Sequence, residues 1–427
     1  MKTNSLITIL FILLLLSCHK SEISGTTYSV FTGATIIDGN GGDPIQNGVI
    51  VIHHGRVIAV GPKGTVTIPR QAQVIDVSGK TIIPGIINGH GHVGDVKEIE
   101  GGHYSAANII DNLQLYARYG ITTVVSLGGD KQEAESLRHA HDTTDIDRAR
   151  LFIAGDVITG NTIPEALTAV DRNHHMGVDI MKIRVDDQLG TAQKMSEEMY
   201  QAIIEKSHEL KYKVAAHMYY LDDAKTLLDA GVELLAHSVR DKPVDEDFIK
   251  RIKEKKTFYC PTLTRELSTY VYGDTAEFFS DPFFKKEYDN SLLGPLLNPA
   301  RQQQIRQSKS AITYKQQLPV AMANLKTLSD QGIPIVFGTD SGMPTRFIGY
   351  FEHLEMKMMA DAGLTPMQII VSATKNAADY LDLEDLGTLT PGHWADFLIL
   401  EANPLDDIQH VRKISKIFIG GREVAKK

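Results

Sequence analysis

The chain has 427 residues, 42% hydrophobic and 23% charged, a composition that suits a globular protein of enzyme size and excludes disordered, collagen-like and coiled-coil classes. Lys and Arg total 44 against 53 for Asp and Glu, a formal net charge of −9. An acidic chain without a basic run is a poor ligand for nucleic acid, so the expected partner is a small-molecule substrate, and a homo-oligomer is compatible with the sequence.

In chain order, Lys2 precedes an apolar run from Leu6 to Leu16. That run is too short for a spanning helix, which needs about 20 residues, but it suits the apolar region of a secretory signal. It ends in Leu15-Leu16-Ser17-Cys18, followed by polar His19-Lys20. The pattern resembles a bacterial lipobox, in which the Cys becomes the lipidated first residue of the mature protein. Residues 1–17 therefore read as a lipoprotein signal peptide and 18–26 as a tether. Cys18 reads as a lipid anchor to a membrane of the bacterial cell envelope, on the periplasmic side or at the outer membrane. Cys260 is the second of the chain's 2 cysteines, so a lipidated Cys18 leaves no disulfide to form within the chain.

Short β-rich runs follow at Tyr28–Val30, Ala34–Ile37, Val49–Ile52, Val57–Val60 and Gln73–Val77, separated by turns such as Asn47-Gly48 and His54-Gly55-Arg56. The same texture returns at Ala395–Leu400 and Ile414–Ile419. Residues 27–83 and 386–427 are thus expected to form one composite β-sandwich. In between, apolar segments end near Ile87, Leu127, Ala154, Val185, Ala216, Ala236, Tyr259 and Gly338. Most are followed by an amphipathic stretch, as at Gln132–His141, Thr191–Leu210 and Asp222–Ala230. This alternation predicts an α/β class fold, a (β/α)8 TIM barrel over 84–385. An aromatic and charged insertion from about Tyr270 to Leu318 separates the last two strands; both a lid and plain padding fit it.

The chemistry gathers where the predicted strands end. His90 and His92 stand at i and i+2, so both imidazoles point to one face, and two neutral imidazoles on one face suit Zn2+. Lys182 lies inside the apolar segment Ile180-Met181-Lys182-Ile183, where an ammonium needs a partner, and Asp179, Asp186 and Asp187 offer salt bridges. His217 closes Val214-Ala215-Ala216, His237 closes Leu234-Leu235-Ala236, and Asp340 closes Phe337-Gly338-Thr339. These six side chains converge on the end of a barrel at which active sites form.

With these residues in place, the chain resembles the amidohydrolase superfamily, in the branch of imidazolonepropionase and the Xaa-Pro type, or prolidase-type, dipeptidases. Pro84-Gly85-Ile86-Ile87, Thr374-Lys375-Asn376-Ala377-Ala378 and Gly387-Thr388-Leu389-Thr390-Pro391-Gly392-His393-Trp394-Ala395-Asp396 carry the likeness further. Asn88 departs from it, since most relatives place an Asp there. The resemblance implies two Zn2+ or similar divalent cations. His90, His92 and Asp340 would hold the buried ion, and His217 and His237 the second. Lys182 would bridge both through a carbamate formed with CO2. It further implies attack on a carbonyl by a metal-bridged hydroxide, with Asp340 moving the proton and Tyr219 adding a hydrogen bond to the oxyanion, against the alternative of an aromatic packing residue in a Tyr219-Tyr220 pair. Arg240 would hold a substrate carboxylate bidentately, against the alternative of a surface pair with Asp241 or Asp245. His353 and Glu355 match a superfamily pattern that braces the mouth, whereas His53, His54, His174 and His175 read as exposed loop residues.

The expected activity is hydrolysis of amide or peptide bonds in dipeptides or N-acyl amino acids. A cyclic amide or imidazolone hydrolase uses the same attack. A mononuclear deaminase on this fold would carry Glu where Tyr220 stands and would not need Lys182. A non-catalytic envelope lipoprotein that captures metal or ligand is the reading from a different class, and it predicts loss of the acid/base that Asp340 retains.

Overall fold

A computed structural model describes residues 28–425. The expected signal peptide, the tether and Cys18 lie outside the described residues. No helix among those described is long and apolar enough to cross a membrane.

Five strands come from the N-terminal segment: β1 (Ser29–Ile36), β2 (Ile45–His53), β3 (Arg56–Pro62), β4 (Gln73–Asp76) and β5 (Thr81–Pro84). Seven come from the middle: β6 (Ile86–Gly91), β7 (Ile121–Ser126), β8 (Arg150–Ile153), β9 (Met181–Arg184), β10 (Val214–His217), β11 (Leu234–Ala236) and β12 (Phe258–Cys260). The last three are β13 (Phe397–Leu400), β14 (Ile414–Ile419) and β15 (Arg422–Glu423).

Strands from both ends of the chain share one eight-stranded sheet, in the order β15-β14-β13-β5-β1-β2-β3 with β4 alongside β1. The two runs expected at 28–30 and 34–37 fuse into β1. Gly33 makes this possible: its φ of +93° opens a register shift between Thr32 and Ala34, and a Cβ there would meet Ser78 Oγ at 2.2 Å. Phe397 and Phe418 stack at 4.5 Å between centroids, and Phe31 meets both edge-on at 5.2 and 5.1 Å, so the core of this sheet is itself built from both ends.

The middle strands are parallel, β6-β7-β8 in one group and β9-β10-β11-β12 in another. Single parallel bridges continue the pattern at Ile158 with Ile183, Tyr259 with Ile335, and Gly91 with Ser341. The segment expected as the eighth strand, ending near Gly338, is therefore a pair of bridges rather than a run. Its amides divide among neighbours: Val336 donates to Tyr259, Phe337 to Ser372 and Thr339 to His90. Helices follow the strands as the amphipathic pattern requires. Glu197–Glu209 begins six residues inside the expected stretch because Ser196 caps it, accepting from Met199 N, and Leu221–Ala230 ends on Gly231 at φ +95°.

Two further contacts position the site. Buried Arg150 on β8 reaches Asp396 beside β13 at 2.8 and 3.2 Å and packs over Trp394, tying the middle of the chain to the mixed sheet. The 270–318 insertion packs around buried Phe278, Phe279, Phe284 and Tyr288, together with Phe347 and Phe351. It ends in the helix Lys309–Asp330, whose Tyr314 and Gln317 touch residues of the site described next.

Candidate metal centre

All six expected ligands, His90, His92, Lys182, His217, His237 and Asp340, line a single cavity of about 400 Å³. Strand ends put them there. His90 lies within β6 and His92 one residue past it, Lys182 is on β9, His217 closes β10, and His237 and Asp340 follow their segments directly. The last two are held at φ +75° and +59°, a region that non-glycine residues occupy only when their surroundings enforce it, and such strain gathers at functional sites.

Ligand atoms of His90, His92 and Asp340 lie within 4.8 Å of one another. Asp340 Oδ1 stands 2.8 Å from His92 Nε2 and 3.5 Å from His90 Nε2. The remaining imidazoles complete the group, with His90 and His237 rings 4.7 Å apart and His217 and His237 rings 4.2 Å apart.

The outer hydrogen bonds select the tautomers. Facing the Gly128 carbonyl at 3.0 Å, His92 Nδ1 can only donate, and Nε2 is left to face Asp340 and the cavity. His217 donates from Nε2 to Asp186 at 3.0 Å, leaving Nδ1, and His237 Nδ1 is engaged by Thr262 Oγ1 at 2.7 Å. Burial pushes His217 down to about 3 and holds His90 and His237 well below the usual imidazole range. All three are thus neutral, with lone pairs, at physiological pH. Burial alone would raise the Asp340 carboxyl, but Arg346 in ion-pair contact, then the His92 bond, hold it well below the usual range, so it is a carboxylate.

The salt bridges offered to Lys182 are not made. Asp179 is taken by Arg138 at 3.0 Å, Asp186 by His217, and Asp187 by the Tyr220 hydroxyl at 3.1 Å. Lys182 Nζ is buried with no hydrogen-bond partner, and burial pushes it down to about 7, where a large fraction is the neutral amine. Only the neutral amine can add CO2. Three neutral imidazoles, a carboxylate and a buried amine without a partner fit a divalent cation site.

Tyr219 and Arg240 lie elsewhere. The Tyr219 hydroxyl donates to Gln317 Oε1, and the ring packs against Tyr220 and Tyr314. Arg240 is neither a surface residue nor a cavity residue. It is fully buried, 3.1 Å from the fully buried Glu266, donates to the Ser238 and Met218 carbonyls at 2.6 and 3.3 Å, and lies over the Tyr219 ring. Neither residue is part of the cavity lining. An internal carboxylate already pairs with the guanidinium that was expected to take the substrate's. The guanidiniums that do face the cavity are Arg184, Arg265 and Arg346.

Of the supporting groups, sequence reasoning singles out Asn88, His353 and Glu355 but misses Glu352 and Asp130. Asn88 accepts from His90 N at 3.0 Å and donates to Thr339 Oγ1 at 2.9 Å and Glu352 Oε1 at 2.6 Å, so the departure from Asp is absorbed by a carboxylate supplied from the Tyr350–Asp361 helix. His353, on the same helix, turns to the Tyr119 carbonyl at 2.8 Å, while Glu355 accepts from Leu263 N, Thr264 N and Thr264 Oγ1, each at 2.7 Å. Both brace the site from behind. In the cavity wall, burial pushes Asp130 up to about 7 despite bonds from Ser126 Oγ and the amides of Ala154 and Gly155. The glycine pair Gly128-Gly129 before it, just past an apolar strand, was the available signal. His54, His174 and His175 are exposed, but His174 and His175 belong to the helix Ile163–Met176 rather than a loop, and His53 is half-buried at the end of β2 and stacks on Tyr28 at 4.0 Å.

Comparison with known proteins agrees with this geometry. An imidazolonepropionase from Geobacillus thermodenitrificans is 23% identical over 434 aligned positions, covering 89% of this chain and 90% of the relative. A crystal structure of a Xaa-Pro dipeptidase with bound methionine superposes with a TM-score of 0.74 at 22% identity, covering 93% of this chain and 99% of the other. The ochratoxinase of Aspergillus niger superposes with a TM-score of 0.74 at 18% identity, covering 93% and 95%. The amidohydrolase family model matches residues 81–424, and the chain belongs to the amidohydrolase family.

Proposed function

We propose that this chain is a hydrolase of carbon–nitrogen amide bonds in small substrates, dipeptides or N-acyl amino acids, that works with two divalent cations, zinc in the first instance. The observation that carries the reading is the convergence of six ligating side chains on one cavity, with Lys182 buried there and unpaired. His90, His92 and Asp340 would hold one ion, His217 and His237 the other, and a carbamate on Lys182 would join them. Ions bound there would supply an activated water and a Lewis acid for the carbonyl.

The chain's own residues supply the rest. Asp340, an anion with one oxygen directed at His92, is the group placed to accept a proton at Oδ and to return it to the departing nitrogen. Asn88 and Glu352 fix the backbone of His90, and Asp130 closes the wall on the opposite side. The same reading takes the parallel strands as a closed (β/α)8 barrel, supported by the three single bridges that continue their pairing, with the mixed sheet as a composite domain of 27–83 and 386–427. Cys18 would anchor the protein in the cell envelope.

The likeness to imidazolonepropionase along 89% of the chain favours a cyclic amide as the second reading. The test is zinc content measured together with turnover of a dipeptide library and of imidazolone-type cyclic amides, before and after chelation. About two zinc ions per chain and chelator-sensitive release of amino acids support the proposal. Full peptide turnover by metal-free protein would refute it, and turnover of cyclic amides alone would establish the second reading.

A further inference from the structure

A second cavity of about 440 Å³ adjoins the metal cavity, and the two share Arg184, His217 and Arg265 as lining. The second is lined further by Asp186, Gln188, Leu189, Lys309 and Tyr314, among others. Its cations, Arg184, Arg265 and Lys309, face a single carboxylate, and Asp186 is already engaged by His217.

Arg184 is the telling residue. It stands two positions beyond Lys182 on β9, so its side chain leaves the same face of the strand, and it pairs in register with His217 on β10. The buried and half-buried guanidiniums around the parallel strands have an internal partner, as Arg138 has Asp179, Arg150 has Asp396, Arg240 has Glu266, and Arg346 has Asp340. Arg184 has no hydrogen bond, ion pair or ring contact among the described residues, although it lines both compartments. Beside it, Arg265 pairs with Glu266 at 3.0 Å while its buried Nε lacks a partner.

We propose that Arg184, supported by Arg265, holds the carboxylate of the amino acid that leaves when the amide is cut. The inference rests on the amide-hydrolase reading and names the group that orients the substrate. The spacing suits it. Two strand residues advance about 6.6 Å. The scissile carbonyl carbon and the carboxylate carbon of the next residue are three bonds apart, about 3.7 Å, and the carbon–oxygen bond with a hydrogen bond beyond it adds up to about 4 Å, a reach of the same order. A carboxylate at Arg184 thus leaves the carbonyl level with Lys182 and the imidazoles. A planar guanidinium also fixes orientation by two parallel bonds, which a point charge does not. The helix Lys309–Asp330 forms the outer wall: Lys309 is tied to the Leu189 carbonyl at 2.7 Å, and Tyr314 lies against Arg265.

Binding can be read without turnover. N-ethyl-L-leucine and N-ethyl-L-leucinol differ in the carboxylate alone and contain no amide to cut. Titration calorimetry on the zinc-loaded protein should show the acid bound at least about tenfold more tightly than the alcohol, as for hydrogen bonds to a charged group. In Arg184→Met the preference should fall below about threefold; the residue is exposed and unpaired, so an unchanged melting temperature certifies the fold. In Arg184→Lys the preference should be intermediate. The same preference in wild type and Arg184→Met would overturn the assignment of Arg184, and no preference in the wild type would overturn the anion subsite. A preference lost in Arg184→Met, in a protein that turns over no peptide or amide, would support the subsite and refute the hydrolase reading.

Discussion

Replacing Lys182 by Met should stabilise the metal-free protein while removing its function. In the absence of metal and CO2 the Lys182 amine is buried, has no hydrogen-bond partner, and sits among His90, His217 and His237. Burial lowers it from 10.5 to about 7. At about 1.4 kcal/mol per unit that is an upper figure of roughly 5 kcal/mol; removal of a buried unpaired donor typically returns about 1–3 kcal/mol. The sign follows from proton counting. Below about pH 7 both folded and unfolded chains carry the proton, and the whole burial cost opposes folding. Between about 7 and 10.5 the unfolded chain holds more protons, so the stability of the wild type rises with pH and the cost fades. Scanning calorimetry of chelated wild type and Lys182→Met in bicarbonate-free buffer should therefore show the variant melting about 2–5 °C higher at pH 6, with the gap closing toward pH 10. Zinc-loaded, the variant should retain at most one tightly bound ion and no amide turnover. A chelated variant less stable than wild type, or a gap indifferent to pH, would refute the reasoning.

Two further outcomes test the frame around the site. Gly342 sits at φ +82°, and a Cβ there would meet the His92 carbonyl oxygen at 2.0 Å, so Gly342→Ala should cost about 1–3 kcal/mol and lower kcat/KM at least about tenfold, checked by melting and by dipeptide kinetics. Arg150→Met strands the buried Asp396 carboxylate, whose partner is 1% exposed, and should lower the unfolding free energy by about 3–5 kcal/mol in urea titrations while the zinc content of the folded protein is unchanged.

The convergence of the six candidate ligands on one cavity was legible because each lies in or at the end of an apolar run, a pattern set by local periodicity and by burial. The composite sheet was legible for the same reason, since β-rich texture at both ends can be read without knowing how they pair. Arg240 was misplaced because sequence shows its neighbours Asp241 and Asp245 but not Glu266, which reaches it through the fold and fully desolvates it. The eighth strand was overestimated because an apolar run says nothing about which neighbour each amide will meet. Asn88 and Glu352 are separated by 264 positions, and only packing brings the amide to the carboxylate.

The strained ligands show how the chain holds a geometry that local preference opposes. His237 is left-handed, and so is Thr262, the residue that fixes its Nδ1. Each such residue costs about 1–3 kcal/mol and persists only where other contacts outweigh it. Thr262 precedes the short helix Leu263–Ser268, whose first two amides are both taken by Glu355, a carboxylate that burial pushes up to about 7. Glu355 thus binds the free amides of the helix start, the helix start fixes Thr262, and Thr262 turns His237 toward the cavity. On the other side Glu352, one helical turn earlier, accepts from Asn88, Thr339 and Ser341 and so holds both neighbours of the left-handed Asp340. One helix, Tyr350–Asp361, therefore holds two of the candidate ligands, on different segments, through two buried carboxylates. Strain at His237 and Asp340 is sustained from that helix, so the geometry of the site depends on residues that touch neither substrate nor metal.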